Sequence, residues 1–193
     1  MIKILSIIFF VIIFPKISLG NMIMHDLINV LLEVNKPKTL EAAKKLSYLN
    51  TSDKTYNLII RKSNLNINDA NNIAKAIKQV DLDNGPKLHT ISMSFNDNLK
   101  DEGVITILKQ IPKETSVIAF VECGITDKAG EAIIKWANLK EVKNLNGIYI
   151  EGNSFSKEME EKFDKLRANN PNLTLLSEWA SESFKEMVKK SYN

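Results

Sequence analysis

The stretch TSVIAFVECGITDKAG, residues 115–130, decides the fold because its pattern recurs along the chain. Thr115, Ile118 and Phe120 lie eight, five and three residues before Cys123. Asn96, Asn153 and, more loosely, Ser63 are preceded at the same offsets by a similar set: Leu88, Ile91 and Met93; Leu145, Ile148 and Ile150; Thr55, Leu58 and Ile60. These four reference positions, here called anchors, are 33, 27 and 30 residues apart.

The residues after each anchor repeat as well. The second residue is apolar in three units, and the unit of Asn96 instead has Asn98 followed by Leu99. The seventh residue is small in three units and is Glu160 in the last. Apolar residues at helical spacing then follow, so each unit predicts a short strand, a turn and a helix. Self-similarity at a period of this length is typical of repeat architectures.

Three segments carry a resemblance to a known family: LHTISMSFNDNLKDEG (88–103), TSVIAFVECGITDKAG (115–130) and LNGIYIEGNSFS (145–156). They resemble the LxxLxLxx(N/C)xI units of leucine-rich repeats. The long unit with a full helix, and the Gly-Ile-Thr-Asp-x-x-Gly turn, resemble the ribonuclease-inhibitor-like class, which includes Ran GTPase-activating protein and the sensor domains of NOD-like receptors. The resemblance implies an α/β fold, a short leucine-rich-repeat solenoid over about residues 55–176. Its parallel sheet would form the concave face and its helices the convex face.

The first twenty residues, MIKILSIIFFVIIFPKISLG, have the three parts of a secretory signal peptide. Lys3 gives a basic start, a mostly apolar run follows, and Ser18-Leu19-Gly20 ends in small residues. We expect cleavage after Gly20 and export to the periplasm or the medium; the alternative is an uncleaved N-terminal anchor. With the signal removed, we expect no integral membrane span.

Both ends of the repeat region are predicted to be helical caps, since a solenoid must cover its exposed core. Residues 21–54 predict an N-terminal cap of two helices, broken at Pro37, with Thr39 as the N-cap of the second. Residues 177–193 predict a C-terminal helix that carries Trp179, Phe184, Met187 and Val188. We expect it to cap the last strand; the alternative is a detachable amphipathic segment.

The anchors themselves, Ser63, Asn96, Cys123 and Asn153, are predicted to form a ladder of side chains at the turns. A sharp turn leaves backbone groups unpaired, and Asn offers both a donor and an acceptor. Cys123 is the single cysteine of the chain, so it can form no internal disulfide. A nucleophilic thiol would need a neighbouring base, and no motif connects Cys123 to His25 or His89. The structural role is therefore favoured, with the sulfur packing as a small hydrophobe.

The composition and motifs narrow the classes of function. The net charge of +3 falls to +1 when Lys3 and Lys16 leave with the signal, which argues against a nucleic-acid partner. No phosphate-binding loop, nucleophile elbow or metal-ligand spacing is present in the sequence. We therefore predict no catalytic residue, no cofactor, no metal site and a protein that is not an enzyme.

Function is predicted to lie on the outward side of the sheet. Residues at equal positions relative to the anchors align in rows across a parallel sheet. The first row is Ile59, Ser92, Ala119, Tyr149 and Thr174. The second row is Arg61, Ser94, Val121, Glu151 and Leu176. We expect a monomer that binds another protein there, using Arg61, Phe95, Val121, Tyr149 and Glu151, because aromatic and Arg side chains are enriched in interface hot spots. The alternatives are an unspecialised surface, an activator of an enzyme by analogy with the GTPase activator, and a structural component of the cell envelope.

Overall fold

The computed structural model describes residues 19–50 and 52–191, which form an α/β fold of seven helices and five strands. The helices and strands alternate from the first strand to the last helix, so each strand is followed by one helix. The elements are α1 (Leu19–Val34), α2 (Pro37–Ser47), β1 (Thr55–Ile59), α3 (Ile67–Leu82), β2 (Lys87–Ser92), α4 (Lys100–Gln110), β3 (Val117–Ala119), α5 (Asp127–Ala137), β4 (Gly147–Tyr149), α6 (Lys157–Asn169), β5 (Thr174–Leu176) and α7 (Glu182–Ser191).

The five strands form one parallel sheet in which spatial order equals chain order, β1-β2-β3-β4-β5. The predicted rows align across the first four strands, where Ile59, Ser92, Ala119 and Tyr149 are successive partners. The prediction for the last strand is wrong: Leu176, not Thr174, pairs with Tyr149, and Thr174 pairs with Gly147. The last strand is therefore displaced by two residues from the predicted register.

One side of the sheet faces a continuous apolar core. The residues five and three positions before each anchor are fully buried there, for example Ile91 and Met93 of the second unit and Ile118 and Phe120 of the third. Buried residues of α1 to α6 join the same cluster, so these six helices cover this side of the sheet. The opposite side carries the rows of the first four strands together with Leu176, and we call it the front face.

The four helices that follow the anchors all begin four residues after them, at Ile67, Lys100, Asp127 and Lys157. Side chains cap three of these helices. Asn66 accepts hydrogen bonds from the backbone N–H groups of Asn68 and Asp69, Thr126 from that of Lys128, and Ser156 from that of Met159. Such caps satisfy N–H groups that have no partner within the helix.

The two N-terminal helices pack beside the first unit, α1 against α3 and α2 against β1. The predicted break between two N-terminal helices is confirmed, since α1 ends at Val34 and α2 begins at Pro37. The predicted N-cap, Thr39, is wrong, because the N-cap of α2 is Lys36. Proline suits the first helical position, where its missing N–H is not needed. Thr39 lies one turn in, and its hydroxyl accepts a hydrogen bond from the Lys36 N–H and donates one to the Lys36 carbonyl.

The predicted signal peptide lies almost wholly outside the described residues, which begin at Leu19. A cut after Gly20 would remove the first two residues of α1. Within residues 19–50 and 52–191, no helix combines the length and the apolar character that crossing a bilayer requires.

Candidate binding face

Each of the first four strands ends in the same left-handed turn. The residue before each anchor has a positive φ: Lys62 at 50°, Phe95 at 62°, Glu122 at 47° and Gly152 at 73°. A left-handed residue turns the chain sharply, and it is uncommon for residues other than glycine. The turn sends the next side chain, the anchor, towards the interior.

Asn96 closes the turn of the unit before it. Its Oδ1 accepts hydrogen bonds from the backbone N–H groups of Ser63 at 2.8 Å and Leu65 at 3.1 Å. Its Nδ2 donates to the carbonyl oxygens of Ile60 at 3.0 Å and Met93 at 2.7 Å. The side chain is fully buried, so it pairs backbone groups that water cannot reach.

Asn153 does the same one unit further on. Its Oδ1 accepts from the N–H groups of Cys123 at 2.9 Å and Ile125 at 3.2 Å, and its Nδ2 donates to the carbonyls of Phe120 and Ile150. Ser63, in the first unit, is buried and donates to the Arg61 carbonyl at 3.3 Å. Each asparagine thus joins its own unit to the preceding one.

Cys123 occupies the equivalent corner between these two asparagines. Its thiol is fully buried and donates to the carbonyl of Met93 at 3.2 Å, the counterpart of the bond from Asn96 to Ile60. Burial raises the pKa of the Cys123 thiol to about 12, so the thiol stays protonated at neutral pH. Its hydrogen-bond acceptors are backbone carbonyls rather than a histidine ring.

The five residues predicted to bind a protein line one cavity of about 240 Å³ on the front face: Arg61, Phe95, Val121, Tyr149 and Glu151. Arg61 donates from Nε to the Ser92 hydroxyl at 2.7 Å. Phe95 lies under the Lys62 ammonium, whose Nζ is 5.7 Å from the ring centroid. The structure therefore brings all five side chains together around a single space.

The other wall of this cavity is the chain's own C-terminal segment, with Trp179, Phe184 and Val188. Lys189 Nζ lies 2.8 Å from Glu122 Oε1, and Lys62 Nζ donates to the Lys189 carbonyl at 3.2 Å. Instead of capping the last strand as the sequence predicts, α7 crosses the front face as far as the turn after β1.

Trp179 anchors the start of this crossing. A Cβ built on Gly152 would lie 2.8 Å from Trp179 Nε1 and 2.6 Å from Glu122 Cγ. Gly152 therefore serves two needs at once, a positive φ and room for the indole ring. The ring centroids of Trp179 and Phe184 are 6.4 Å apart, so the two aromatic side chains form one apolar edge.

Glu151 is the least expected residue of the face because it is only 4% exposed. Its Oε2 has no hydrogen-bond partner among the described residues. Burial raises the pKa of the Glu151 carboxyl above its usual range, opposed by the nearby N–H groups of Glu151 and Ile150. A predicted surface residue is thus a buried carboxyl that faces a cavity.

Sequence reasoning missed Trp179, Phe184, Val188 and Lys189 as part of this face. The sequence pattern that could have identified these residues is the spacing of Phe184 and Val188, which lie four residues apart and therefore on one side of a helix, with Lys185 and Lys189 next to them. That pattern identifies an amphipathic helix without revealing the surface to which it docks.

Within the part of the chain that the structure describes, His, Cys, Asp and Glu side chains form no group of three or more that could hold a metal ion. Comparison with known proteins adds no further assignment, since no family model and no curated protein matches the sequence.

Proposed function

We propose that the chain is an exported, non-enzymatic protein-binding module, built as a short leucine-rich-repeat solenoid that binds its partner through the front face. The recurring left-handed turn, the hydrogen bonds from Asn96 and Asn153 to the preceding unit and the parallel sheet in chain order all favour this architecture. Solenoids of this kind present extended concave surfaces that serve as binding sites.

The observation that carries the proposal is that the front face already holds an amphipathic helix, the chain's own α7. Arg61, Phe95, Val121, Tyr149 and Glu151 converge on the cavity that this helix covers. A surface that binds a helix of its own chain has the width and the apolar floor that a helix of a partner protein would need. A partner would therefore compete with α7 for the same residues.

The hold of α7 on the face is weak enough for such competition. Phe184 is 38% exposed and Met187 58% exposed, and no residue of α7 joins the main apolar core. The ion pair between Lys189 and Glu122 is partly solvated, and pairs of that kind contribute about 1 kcal/mol or less. Displacement of α7 would leave the core intact.

The test is affinity capture from the envelope fraction of the source organism with four forms of the full chain. Arg61→Ala with Tyr149→Ala alters the face, and Phe184→Ala with Val188→Ala loosens α7. Lys78→Ala with Lys165→Ala, both exposed on α3 and α6, is the matched control.

We expect one partner to be captured in stoichiometric amount by the wild type and the control. The α7 variant should capture it at a lower partner concentration, and the face variant should lose it with an almost unchanged melting curve. Retention of the partner by the folded face variant would contradict the proposal.

A further inference from the structure

The cavity under α7 contains a carboxyl group without a counter-ion. Glu151 has one oxygen, Oε2, that is both buried and without a hydrogen-bond partner among the described residues. No ion pair of Glu151 is formed within residues 19–50 and 52–191. An ionised carboxyl in a buried position costs free energy unless a cation or hydrogen-bond donors compensate it, so a ligand that brings a cation to this position would be favoured.

Cations around the cavity have other partners. Three cationic side chains near the cavity contact a neighbour other than Glu151. The contacts are Arg61 with the Ser92 hydroxyl, Lys189 with Glu122, and Lys185 with Glu182.

The shape and lining of the space restrict what could enter. At about 240 Å³ the cavity lies below the range of about 300–1,000 Å³ that drug-sized ligands occupy, so it suits a single side chain. Its floor on the sheet is mainly apolar, because Val121, Tyr149 and Leu176 line it together with Glu151, and these residues stay in place when α7 is displaced. Aromatic faces attract an ammonium group, most strongly when it is removed from water.

We infer that this cavity receives the side chain of a lysine from the partner protein, with the ammonium at Glu151 and the aliphatic stem against Tyr149 and Val121 of the sheet. The inference rests on the proposed function, since it names the chemistry by which the front face recognises that partner. The ammonium supplies the missing counter-ion, and the four-carbon stem suits the apolar lining.

The first experiment is independent of any partner. The full chain, labelled with ¹⁵N, is titrated with n-butylammonium, which reproduces the lysine stem and charge, and separately with n-butanol as the neutral match. Because so small a probe binds weakly, the titration extends to about 100 mM. The readouts are backbone resonances of Val121, Tyr149 and Glu151, and the ¹³C resonance of the Glu151 carboxyl.

We expect saturable binding of n-butylammonium that is at least ten times tighter than that of n-butanol. Glu151→Gln, which keeps the shape of the side chain, should abolish this difference. The pKa of the Glu151 carboxyl should fall when the amine is bound. Equal binding of the two probes, equal binding by the variant, or no binding in this range would overturn the inference.

The second experiment separates this inference from the proposed function. Capture of the partner is compared between wild type, Glu151→Gln and the Arg61→Ala, Tyr149→Ala variant. Loss of the partner in both variants supports the lysine site. Loss only in the double variant overturns the lysine site and leaves the binding face standing, whereas retention in both contradicts the proposed function itself.

Discussion

The thiol of Cys123 donates a hydrogen bond to the carbonyl oxygen of Met93, one unit earlier in the chain and 3.2 Å away. Asn96 and Asn153 make the matching bonds to Ile60 and Phe120. The cysteine therefore replaces the donor half of an asparagine amide, and a sulfur atom takes the place of the carbonyl oxygen. Since sulfur is a weak acceptor, the turn at Asn96, which Cys123 closes, is held less firmly than the turns at Ser63 and Cys123, which asparagine side chains close.

Cys123 should be unreactive in the folded protein. Its raised pKa, a consequence of burial, leaves almost no thiolate at neutral pH, and thiol reagents attack the thiolate. We expect modification by an aromatic disulfide reagent only at the rate of unfolding, and rapid modification in denaturant. Fast and complete reaction of the native protein at pH 7 would show that the corner is open.

Asn96→Ala should destabilise the protein strongly. The substitution removes partners from the buried N–H groups of Ser63 and Leu65 and from two carbonyls, and each unpaired group costs about 1–3 kcal/mol. We expect a loss of more than about 3 kcal/mol in urea unfolding.

The matched control for that substitution is Asn98→Ala, two residues away. Asn98 is exposed and donates only to the Asn64 side chain, so its loss should lie within about 0.5 kcal/mol of zero. Similar losses for the two variants would argue against a buried role for Asn96.

Gly152→Ala should undock the C-terminal segment as well as strain the turn. A left-handed alanine costs about 1–2 kcal/mol, and the new methyl group would overlap Trp179 Nε1. We expect the indole N–H resonance of Trp179 to move to its solvent-exposed position. Gly124→Ala also strains a left-handed position, at φ 66°, but its new methyl group would meet Lys100 Nζ and the Asp97 carbonyl oxygen rather than Trp179, so the Trp179 indole resonance should stay in place.

Glu151→Gln should stabilise the protein at neutral pH and leave it unchanged in acid. The folded-state pKa of Glu151 is raised by burial, so the unfolded chain binds fewer protons between the two pKa values. The stability that this carboxyl contributes is fully present below the usual pKa of about 4.3 and is lost as pH rises through the folded pKa.

Urea unfolding from pH 3.5 to 8 would test this sign. The gain of the variant over the wild type should grow with pH, while Glu161→Gln, exposed on α6, controls for the loss of one charge. A variant less stable than the wild type at pH 8 would show that the ionised carboxylate is compensated within the fold.

The sequence predicted the strand, turn and helix units because the residues five and three positions before each anchor are fully buried. Ile91, Met93, Ile118 and Phe120 are fully buried, and such sites tolerate only apolar side chains. The parallel order of the strands followed from the same period, and the structure confirms it.

The register of the last strand escaped prediction because a polar residue fills an apolar position. Ile148 pairs with Leu175, so Ser177 lies two residues later, where the other strands have Met93, Phe120 and Ile150. Ser177 is buried and donates to Glu160, the one residue that breaks the small-residue pattern of the helices. The two exceptions form a single polar contact, which no apolar pattern could reveal.

The candidate face could be predicted only in part. Alternation along the strands placed Arg61, Val121 and Glu151 in one row, since a parallel sheet aligns equal offsets. The position of α7 depends on tertiary contacts, such as Trp179 against Gly152, that have no signature in sequence spacing. For that reason the burial of Glu151 was not predicted.

The asparagine ladder also makes the molecule directional. Asn96, Cys123 and Asn153 each form hydrogen bonds with the turn of the unit before them, so unfolding from the C-terminal end removes the bonding partners of each preceding turn in succession. Unfolding from the N-terminal end instead leaves the side-chain amide of the next asparagine anchor without partners, and water can bind this amide directly. Digestion by an exopeptidase should therefore destabilise the remaining units more when it proceeds from the C-terminal end than when it proceeds from the N-terminal end.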